Sequence, residues 1–304
     1  MSRTNFDSLL EAGVHFGHLR RKWNPAMAPY IFMERNGIHI IDLYKTIAKI
    51  DEAAAALKQI AKSGKRILFV ATKKQAKEIV AEQVKRVNMP YVTERWPGGM
   101  LTNFATIRKA VRKMVSIDKL MTSPSYNNLS KKERLTISRE RAKLEKNLGS
   151  IADLNRLPAA IFIVDILKEH ISLAEAKKLN IPTFAIVDTN SDPRKVDFPV
   201  PANDDASKSI SIIIETMVNA IEEGLVERKL DRDKKAADED KGEQDEDFED
   251  RMRDDEIEEE VAGIKLAIKD PDAKLTKMKT VEVESEEKKT QRKRINKPVG
   301  RTKK

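Results

Sequence analysis

Cysteine is absent from this 304-residue sequence, which excludes a disulfide framework and a thiolate metal site. Long apolar runs are absent too, since no stretch approaches the roughly 20 residues that a membrane span requires. The first residues, Met-Ser-Arg-Thr-Asn-Phe-Asp, contain no apolar signal core. Glycine-rich phosphate loops after a strand are missing, and the four histidines show no metal-ligand spacing. These absences predict a soluble cytoplasmic protein with no cofactor and no membrane partner.

Charge is unevenly distributed along the chain, whose net charge is +9. Residues 231–260 hold 17 Asp/Glu against 6 Lys/Arg, whereas residues 261–304 hold 14 Lys/Arg against 6 Asp/Glu. Residues 1–230 therefore carry a net charge of +12, which favours a polyanionic partner. The charged extension, 229–304, is predicted to be partly disordered. It is either a solubilising tail or a segment that binds through its basic end.

Continuous apolar runs at 67–71, 160–164 and 183–187 are typical of parallel strands covered on both faces. Shorter strand candidates lie at 91–93 and 198–200. Amphipathic helices separate the strands, and the first of them is predicted to begin at the capping residue Asp42 and to end at Gly64. This alternation predicts a three-layer α/β sandwich with a parallel central sheet, formed by residues 1–102 and 151–228. Earlier in the chain, Asn36-Gly37 indicates a β-hairpin.

Residues 103–150 do not fit the alternation. Two helical patterns flank a polar turn, and Ser130 with Glu133 predicts a capping box at the start of the second helix. Their apolar positions recur at steps of three and four, so the segment is predicted to be a helical hairpin, a coiled coil that projects from the sandwich and pairs with itself. It holds 12 Lys/Arg against 4 Asp/Glu. This excess favours a contact surface over a merely solvated coiled coil.

The most informative stretch is 13–32, where three cations precede Trp23 and two prolines, Pro25 and Pro29, disfavour helix. A cationic, aromatic and irregular surface loop suits phosphates and unstacked bases better than a protein core. The alternative is a solvated basic loop with one structural tryptophan. His15 and His18 lie just upstream of the cations.

A second candidate contact lies at a predicted strand-to-helix junction. Thr72 is expected to cap the helix, which places Lys73 and Lys74 in its first turn. Cations there oppose the helix dipole, whereas a bound phosphate would reverse the sign of that effect. The alternative is that two exposed lysines tolerate a small cost.

A third candidate is the segment 94–104, in which Arg95 and Trp96 precede Pro-Gly-Gly. The small residues let the backbone approach a ligand or another chain closely. Either Thr102 or Asn103 is expected to cap the helix that follows.

Several aspartates follow predicted strands, where α/β sandwiches place their ligands. Asp165, Asp188, Asp192 and Asp204 would together offer carboxylates to Mg²⁺. The plainer interpretation, that they are turn-forming residues, is favoured.

Taken together, these motifs resemble the family of the second protein of the bacterial small ribosomal subunit. The resemblance covers residues 5 to about 228, and its motifs lie at 13–18, 21–31, 37–43, 95–103 and 188–193. It implies a flavodoxin-like sandwich with a helical-hairpin insertion and no catalytic activity. It also implies binding to small-subunit ribosomal RNA between head and body, as a single copy among neighbouring ribosomal proteins. One implied role is recruitment of the multi-domain protein that captures messenger RNA. The charged extension departs from the family pattern.

An enzyme or nucleotide-binding module on the same fold is the competing class. The missing phosphate loop and the basic hairpin favour the RNA-binding class. Under that hypothesis the expected RNA contacts are His15, His18, Arg20, Arg21, Lys22, Trp23, Asn24, Lys73, Lys74, Arg95, Trp96, Gly98, Gly99, Thr102, Asn103, Arg108, Lys109 and Arg112.

Overall fold

The computed structural model describes residues 3–233, without the side chains of Ser125 and Asn127. The predictions for the charged extension concern residues that, from 234 onward, lie outside the described part. The elements in chain order are α1 (Phe6–Glu11), β1 (Phe16–Leu19), β2 (Ile31–Arg35), β3 (Ile38–Ile41), α2 (Leu43–Lys62), β4 (Ile67–Val70), α3 (Lys74–Arg86), β5 (Tyr91–Val92), α4 (Phe104–Thr122), α5 (Lys131–Leu148), β6 (Ala160–Val164), α6 (His170–Lys178), β7 (Thr183–Val187) and β8 (Phe198–Pro201). A last helix, α7, begins at residue 207 and continues to the end of the described residues.

The main sheet has five parallel strands in the order β5-β4-β6-β7-β8. Along one register Phe69, Phe162, Phe184 and Phe198 lie side by side on successive strands. The strands β4, β6 and β7 are buried throughout, as their continuous apolar sequences predicted. This strand order is that of flavodoxin-like proteins, so the predicted parallel α/β sheet is confirmed.

Helices cover both faces of this sheet. On one face α2, α3 and α7 form a core with Phe69, Phe162 and Phe184. On the other face α6 packs with Met27, Met100 and the base of the helical insertion. The three-layer arrangement is therefore confirmed. Among the described residues, no helix is both long and apolar enough to cross a membrane.

The insertion forms two helices, α4 and α5, that contact each other. Arg141 pairs with Asp118 across the helices at 2.7 Å, and the capping box of Ser130 and Glu133 is present as predicted. The expectation that the apolar stripe pairs only with itself is wrong at the base, because Val111 and Leu148 belong to the second core of the sandwich. Supercoiling of the two helices and the domain boundaries stay predictions.

Local signals near the amino terminus are confirmed. Strands β2 and β3 form an antiparallel hairpin, and Asn36 and Gly37 both have positive φ at its turn. Strand β1 pairs with the other side of β3. The Asp42 carboxylate accepts a hydrogen bond from the backbone N–H of Tyr44 at 3.1 Å, and Gly64 follows the end of α2 with a φ of +75°.

One predicted cap is wrong. Helix α3 begins at Lys74, and the residue at its N-cap position is Lys73. Thr72 lies one residue before this position and does not cap the helix, and its hydroxyl donates to the Glu169 carboxylate. Glu169 directly precedes α6, and no sequence pattern near Thr72 indicates its contact with Glu169.

Candidate nucleic-acid interface

A single turn of 3-10 helix, Arg20–Lys22, exposes three cations. We call these residues together with Trp23 the basic turn. Trp23 is 37% exposed, and its ring centroid lies 5.2 Å from that of His39. Arg20 lies 3.6 Å from Glu34, with 70% of its side chain exposed. The turn therefore presents cations and part of an aromatic ring at the surface, where the sequence placed this segment. The expectation that the segment is irregular is wrong, because Arg20–Lys22 and Pro25–Tyr30 are 3-10 helices.

The basic turn is anchored on its carboxyl side by Asn24. The backbone N–H of Asn24 donates to the carbonyl of Thr189 at 2.8 Å, which ties the loop to the end of β7. Its side-chain oxygen accepts from the N–H of Ala26 at 2.9 Å and caps the following turn. Met27 then inserts into the core without solvent exposure. Asn24 therefore holds the basic turn in place through hydrogen bonds within the protein and is not presented as a surface contact.

The two upstream histidines have mostly internal surroundings. His18 Nδ1 lies 2.9 Å from Asp188, and its backbone N–H donates to the Thr189 hydroxyl at 2.8 Å. The hydrogen bond to Asp188 raises the pKa of His18 above its ordinary value, although burial opposes this. His15 packs against Phe16, with ring centroids 4.0 Å apart, and burial lowers its pKa.

Lys73 lies in a cluster of carboxylates at the carboxyl edge of the sheet. Its ammonium is 2.8 Å from Asp204, 2.6 Å from Asp205 and 3.6 Å from Asp165, and only 13% of its side chain is exposed. Burial alone would lower the pKa of Lys73, but the carboxylates raise it above its ordinary value. Lys73 is therefore engaged within the protein, whereas the neighbouring Lys74 is exposed.

Asp204 is the most buried member of this cluster. Burial and the neighbouring charges of Asp188 and Asp165 raise the pKa of Asp204 to about 7, while the hydrogen bond from Lys73 opposes the rise. One of its carboxylate oxygens, Oδ2, is buried without a hydrogen-bond partner.

The residues here that could hold a metal ion are His18, Asp188 and Asp204, whose ligand atoms lie within 4.8 Å of one another. This set differs from the four aspartates considered from the sequence. Asp165 instead pairs with Lys73 and accepts from the N–H of Leu167. Asp192 accepts from the backbone N–H of Arg194 at 3.1 Å. Those two are turn residues, as the plainer interpretation predicted.

The loop between β5 and α4 surrounds a buried carboxylate. Trp96 is buried and its indole N–H donates to Glu175 at 3.1 Å, so Trp96 is not presented for stacking. Gly99 has a φ of +83° at the turn. The exposed residues of the loop are Arg95, Gly98, Thr102 and Asn103. Asn103 occupies the N-cap position of α4, but its side-chain oxygen accepts from the Thr106 hydroxyl rather than from the backbone.

Glu175 was missed by the sequence reasoning. The only local signal is a charged side chain between the buried Leu173 and Ala176 of α6, and its partners lie more than 70 positions earlier.

The first helix of the insertion contributes further cations. Lys109 and Arg112 are exposed. Arg108 is turned inward, where it donates to the carbonyl of Leu154 at 3.1 Å and to Asn155 at 2.6 Å. Two of the three predicted contacts on α4 are thus free to meet a partner.

These observations define a class of protein: an α/β sandwich scaffold that carries an exposed basic turn and a basic helical insertion. The chain belongs to the ribosomal protein S2 family, whose family model matches residues 9–224.

Curated relatives agree with this assignment. The chain is 72% identical over 232 residues to the small ribosomal subunit protein uS2 of Phocaeicola vulgatus, covering 76% of this chain and 83% of the relative. It is 71% identical to uS2 of Bacteroides thetaiotaomicron, covering 76% and 84%, and 69% identical to uS2 of Flavobacterium johnsoniae, covering 76% and 91%. The family is a structural component of the small subunit of the cytoplasmic ribosome, active in translation, and is not an enzyme family.

Proposed function

We propose that this chain binds small-subunit ribosomal RNA through three exposed basic segments and so holds its place between the head and body of the subunit. The segments are the basic turn, the loop 95–103 and the outward side of α4. The observation that carries the proposal is the basic turn, in which three consecutive cations are exposed beside a partly exposed tryptophan. Cations in such a loop pair with phosphates, and an aromatic face stacks on unpaired bases.

The charge of the insertion supports the same partner. Its 12 Lys/Arg against 4 Asp/Glu leave a net charge of +8, whereas a merely solvated helix pair usually balances its signs. Lys113 pairs with Glu140 and Arg141 with Asp118 inside the insertion, while Lys109 and Arg112 stay exposed. The unpaired excess is available to phosphates.

The proposed contact set is narrower than the sequence suggested. Seven of the predicted residues contact other parts of the protein, so we assign them to the support of the surface: His15, His18, Asn24, Lys73, Trp96, Gly99 and Arg108. The direct contacts that we propose are Arg20, Arg21, Lys22, Trp23, Lys74, Arg95, Gly98, Thr102, Asn103, Lys109 and Arg112.

The competing nucleotide-binding role is disfavoured by the charged residues at the carboxyl edge of the main sheet. In folds with this strand order, ligands enter the crevice between the first and third strands of the main sheet, counted along the chain. Here these strands are β4 and β6. At this edge Lys73 follows β4 and pairs with Asp165, which follows β6. A nucleotide phosphate there would meet carboxylates rather than a loop of free N–H groups.

The test replaces the three cations together, as Arg20→Gln, Arg21→Gln and Lys22→Gln. Binding to small-subunit ribosomal RNA should weaken, and the slope of log Kd against log salt should fall by about two to three units, since each phosphate contact contributes about 0.7 to 0.9. The matched control is Lys177→Gln, Lys178→Gln and Lys208→Gln, which removes three exposed cations elsewhere. Equal slopes in the two triple variants would contradict the proposal.

A second part of the proposal concerns recruitment of the multi-domain protein that captures messenger RNA, as the family resemblance implies. Small subunits assembled without this chain should lose that protein while keeping their other components. Adding the purified chain back should restore it. Retention of the messenger-RNA-capturing protein on subunits that lack this chain would contradict the role.

A further inference from the structure

Glu175 accepts more hydrogen bonds from one loop than any other carboxylate among the described residues. Its Oε1 accepts from the Trp96 indole at 3.1 Å and from the Gly99 N–H at 2.8 Å. Its Oε2 accepts from the N–H groups of Leu101 and Thr102, at 3.0 and 3.1 Å, and from the Thr102 hydroxyl at 3.2 Å. The residue is 8% exposed. One side chain of α6 therefore binds nearly the whole loop 96–102.

Several N–H groups that converge on one point form an anion-binding nest. In this loop the anion is supplied by the protein itself. Burial raises the pKa of Glu175, but the hydrogen bonds from Trp96, Thr102, Gly99 and Leu101 more than offset this, so its pKa lies below the ordinary value. The carboxylate is thus charged at neutral pH and fills the nest.

The filled nest determines what the loop can offer to a partner. The N–H groups of Gly99, Leu101 and Thr102 are directed toward α6, and the side chains of Met100 and Leu101 are buried. The exposed side chains of this region that make no hydrogen bond to Glu175 are those of Arg95 and Asn103. Asn103 is the N-cap residue of α4, whose exposed cations include Lys109 and Arg112.

We propose that Glu175 is the positioning residue of the RNA-contacting loop: its carboxylate holds residues 96–102 in the shape that presents Arg95 and Asn103 to RNA. The residue does not touch RNA itself. A loop ordered before binding loses less conformational entropy when it binds, which is the advantage of preorganisation. This inference rests on the proposed RNA binding and specifies how one of its three segments is built.

The test is chemical rescue of Glu175→Ala. This variant removes the carboxylate and leaves a cavity lined by the same N–H donors, which formate can enter as a substitute anion. We expect about tenfold weaker binding to small-subunit ribosomal RNA, the cost of ordering one or two loop side chains and their backbone. Sodium formate should restore most of the loss, whereas sodium chloride at the same ionic strength should not.

Two readouts in the free protein accompany the affinity. The indole N–H resonance of Trp96 should shift in the variant and return with formate, and the amides of Gly99, Leu101 and Thr102 should exchange faster until formate is added. The control is Leu173→Ala, which destabilises the same helix through a cavity but leaves the carboxylate in place. It should bind RNA like wild type at a temperature where both are folded, with no effect of formate. If Glu175→Ala does not fold, Glu175→Gln is tested instead. Glutamine keeps the volume of the side chain but replaces one acceptor oxygen with an NH2 group, and this variant should bind about tenfold more weakly.

The outcomes separate the two proposals. Failure of the wild-type protein to bind RNA would overturn the proposed function whatever the variants do. Wild-type binding together with unchanged affinity in the Glu175 variant would overturn the positioning role alone. Equal losses in Glu175→Ala and Leu173→Ala, with no formate effect, would also overturn it, because a general loss of stability would then explain both.

Discussion

Gly17 is the residue on which the attachment of β1 to the main sheet depends. A Cβ atom at this position would lie 2.6 Å from Thr189 Cγ2 and 2.9 Å from the carbonyl oxygen of His39. Only glycine permits this approach without displacing its neighbours. The next residue, His18, then reaches both Thr189 and Asp188. The basic turn that follows is positioned by this contact.

We therefore expect Gly17→Ala to lower the free energy of unfolding by about 1–3 kcal/mol, the usual cost of overpacking a close contact. Urea denaturation of the two proteins measures this difference. The matched control is Gly98→Ala, since a Cβ atom at Gly98 meets nothing within 4 Å. A loss of the same size in the control would show that the close approach of β1 is not the cause.

At the residue scale, the sequence predicts exposure better than it predicts partners. The cations of the basic turn are exposed as expected, because three consecutive charged side chains are costly to bury unless each is paired. Lys73 looks equally available in the sequence, yet Asp204, 131 positions later, pairs with it. Trp96 likewise donates a hydrogen bond to Glu175, 79 positions later. Such partners meet only when parallel strands align, and no local pattern encodes that.

Ion pairs follow the contact between α2 and α7. Lys58 lies 3.2 Å from Glu223 and 2.7 Å from Glu227, and Arg3 lies 2.7 Å from Glu223. The two helices approach closely, since a Cβ atom at Gly224 would lie 2.5 Å from the carbonyl oxygen of Lys58. Apolar packing and ion pairs therefore act along the same line of contact.

Glu223 should make stability depend on acid pH. The hydrogen bond from Arg3, assisted by Lys58, lowers the pKa of Glu223 to about 2, below the roughly 4.3 of an unfolded glutamate. A lowered folded-state pKa gives stability that is present above the unfolded pKa and lost as pH falls through the folded one. The stability difference between wild type and Glu223→Gln should therefore narrow between about pH 5 and pH 2.

Urea denaturation at a series of pH values measures that narrowing. The control is the same comparison in an Arg3→Gln background, with and without Glu223→Gln. Because Arg3 is the leading cause of the lowered pKa of Glu223, the stability difference between these two variants should disappear at a higher pH than it does with Arg3 present. A wild-type and Glu223→Gln difference that stays constant across the whole range would contradict the role of the ion pairs.

At the element scale, helices and strands follow from nearby sequence when the signal is local. Asp42 and Ser130 cap their helices as predicted because each carboxylate or hydroxyl reaches an N–H two or three residues ahead. Thr72 has the same sequence signal, but its hydroxyl finds Glu169 instead. The helix after Thr72 begins one residue later than expected, and the Thr72 hydroxyl donates to a carboxylate 97 positions away, which the sequence alone does not reveal.

Within the described residues, the sandwich and the insertion share part of one core. Val111 of α4 and Leu148 of α5 pack with strand residues such as Leu68 and Ile161. Farther out on α4, Met114 and Ile117 are buried as well, but they do not belong to the core that Val111 and Leu148 share with the sheet. The sequence showed the helical pattern of this segment, but spacing alone could not show that its base also faces the sheet.

Two truncations should therefore behave differently. Replacing residues 115–140 with a short turn removes only the outer part and should leave a cooperative unfolding transition close to that of wild type. Replacing 103–150 also removes Val111 and Leu148. Since the loss of one large buried aliphatic side chain costs about 2–5 kcal/mol, this deletion should lower the free energy of unfolding by several kcal/mol.

The shorter deletion keeps the exposed Lys109 and Arg112, so its RNA binding should keep most of its salt dependence. Urea denaturation and salt titration of both variants decide the matter. Loss of cooperative unfolding in the shorter deletion would place the outer helices in the core, and full stability in the longer one would remove the base from it.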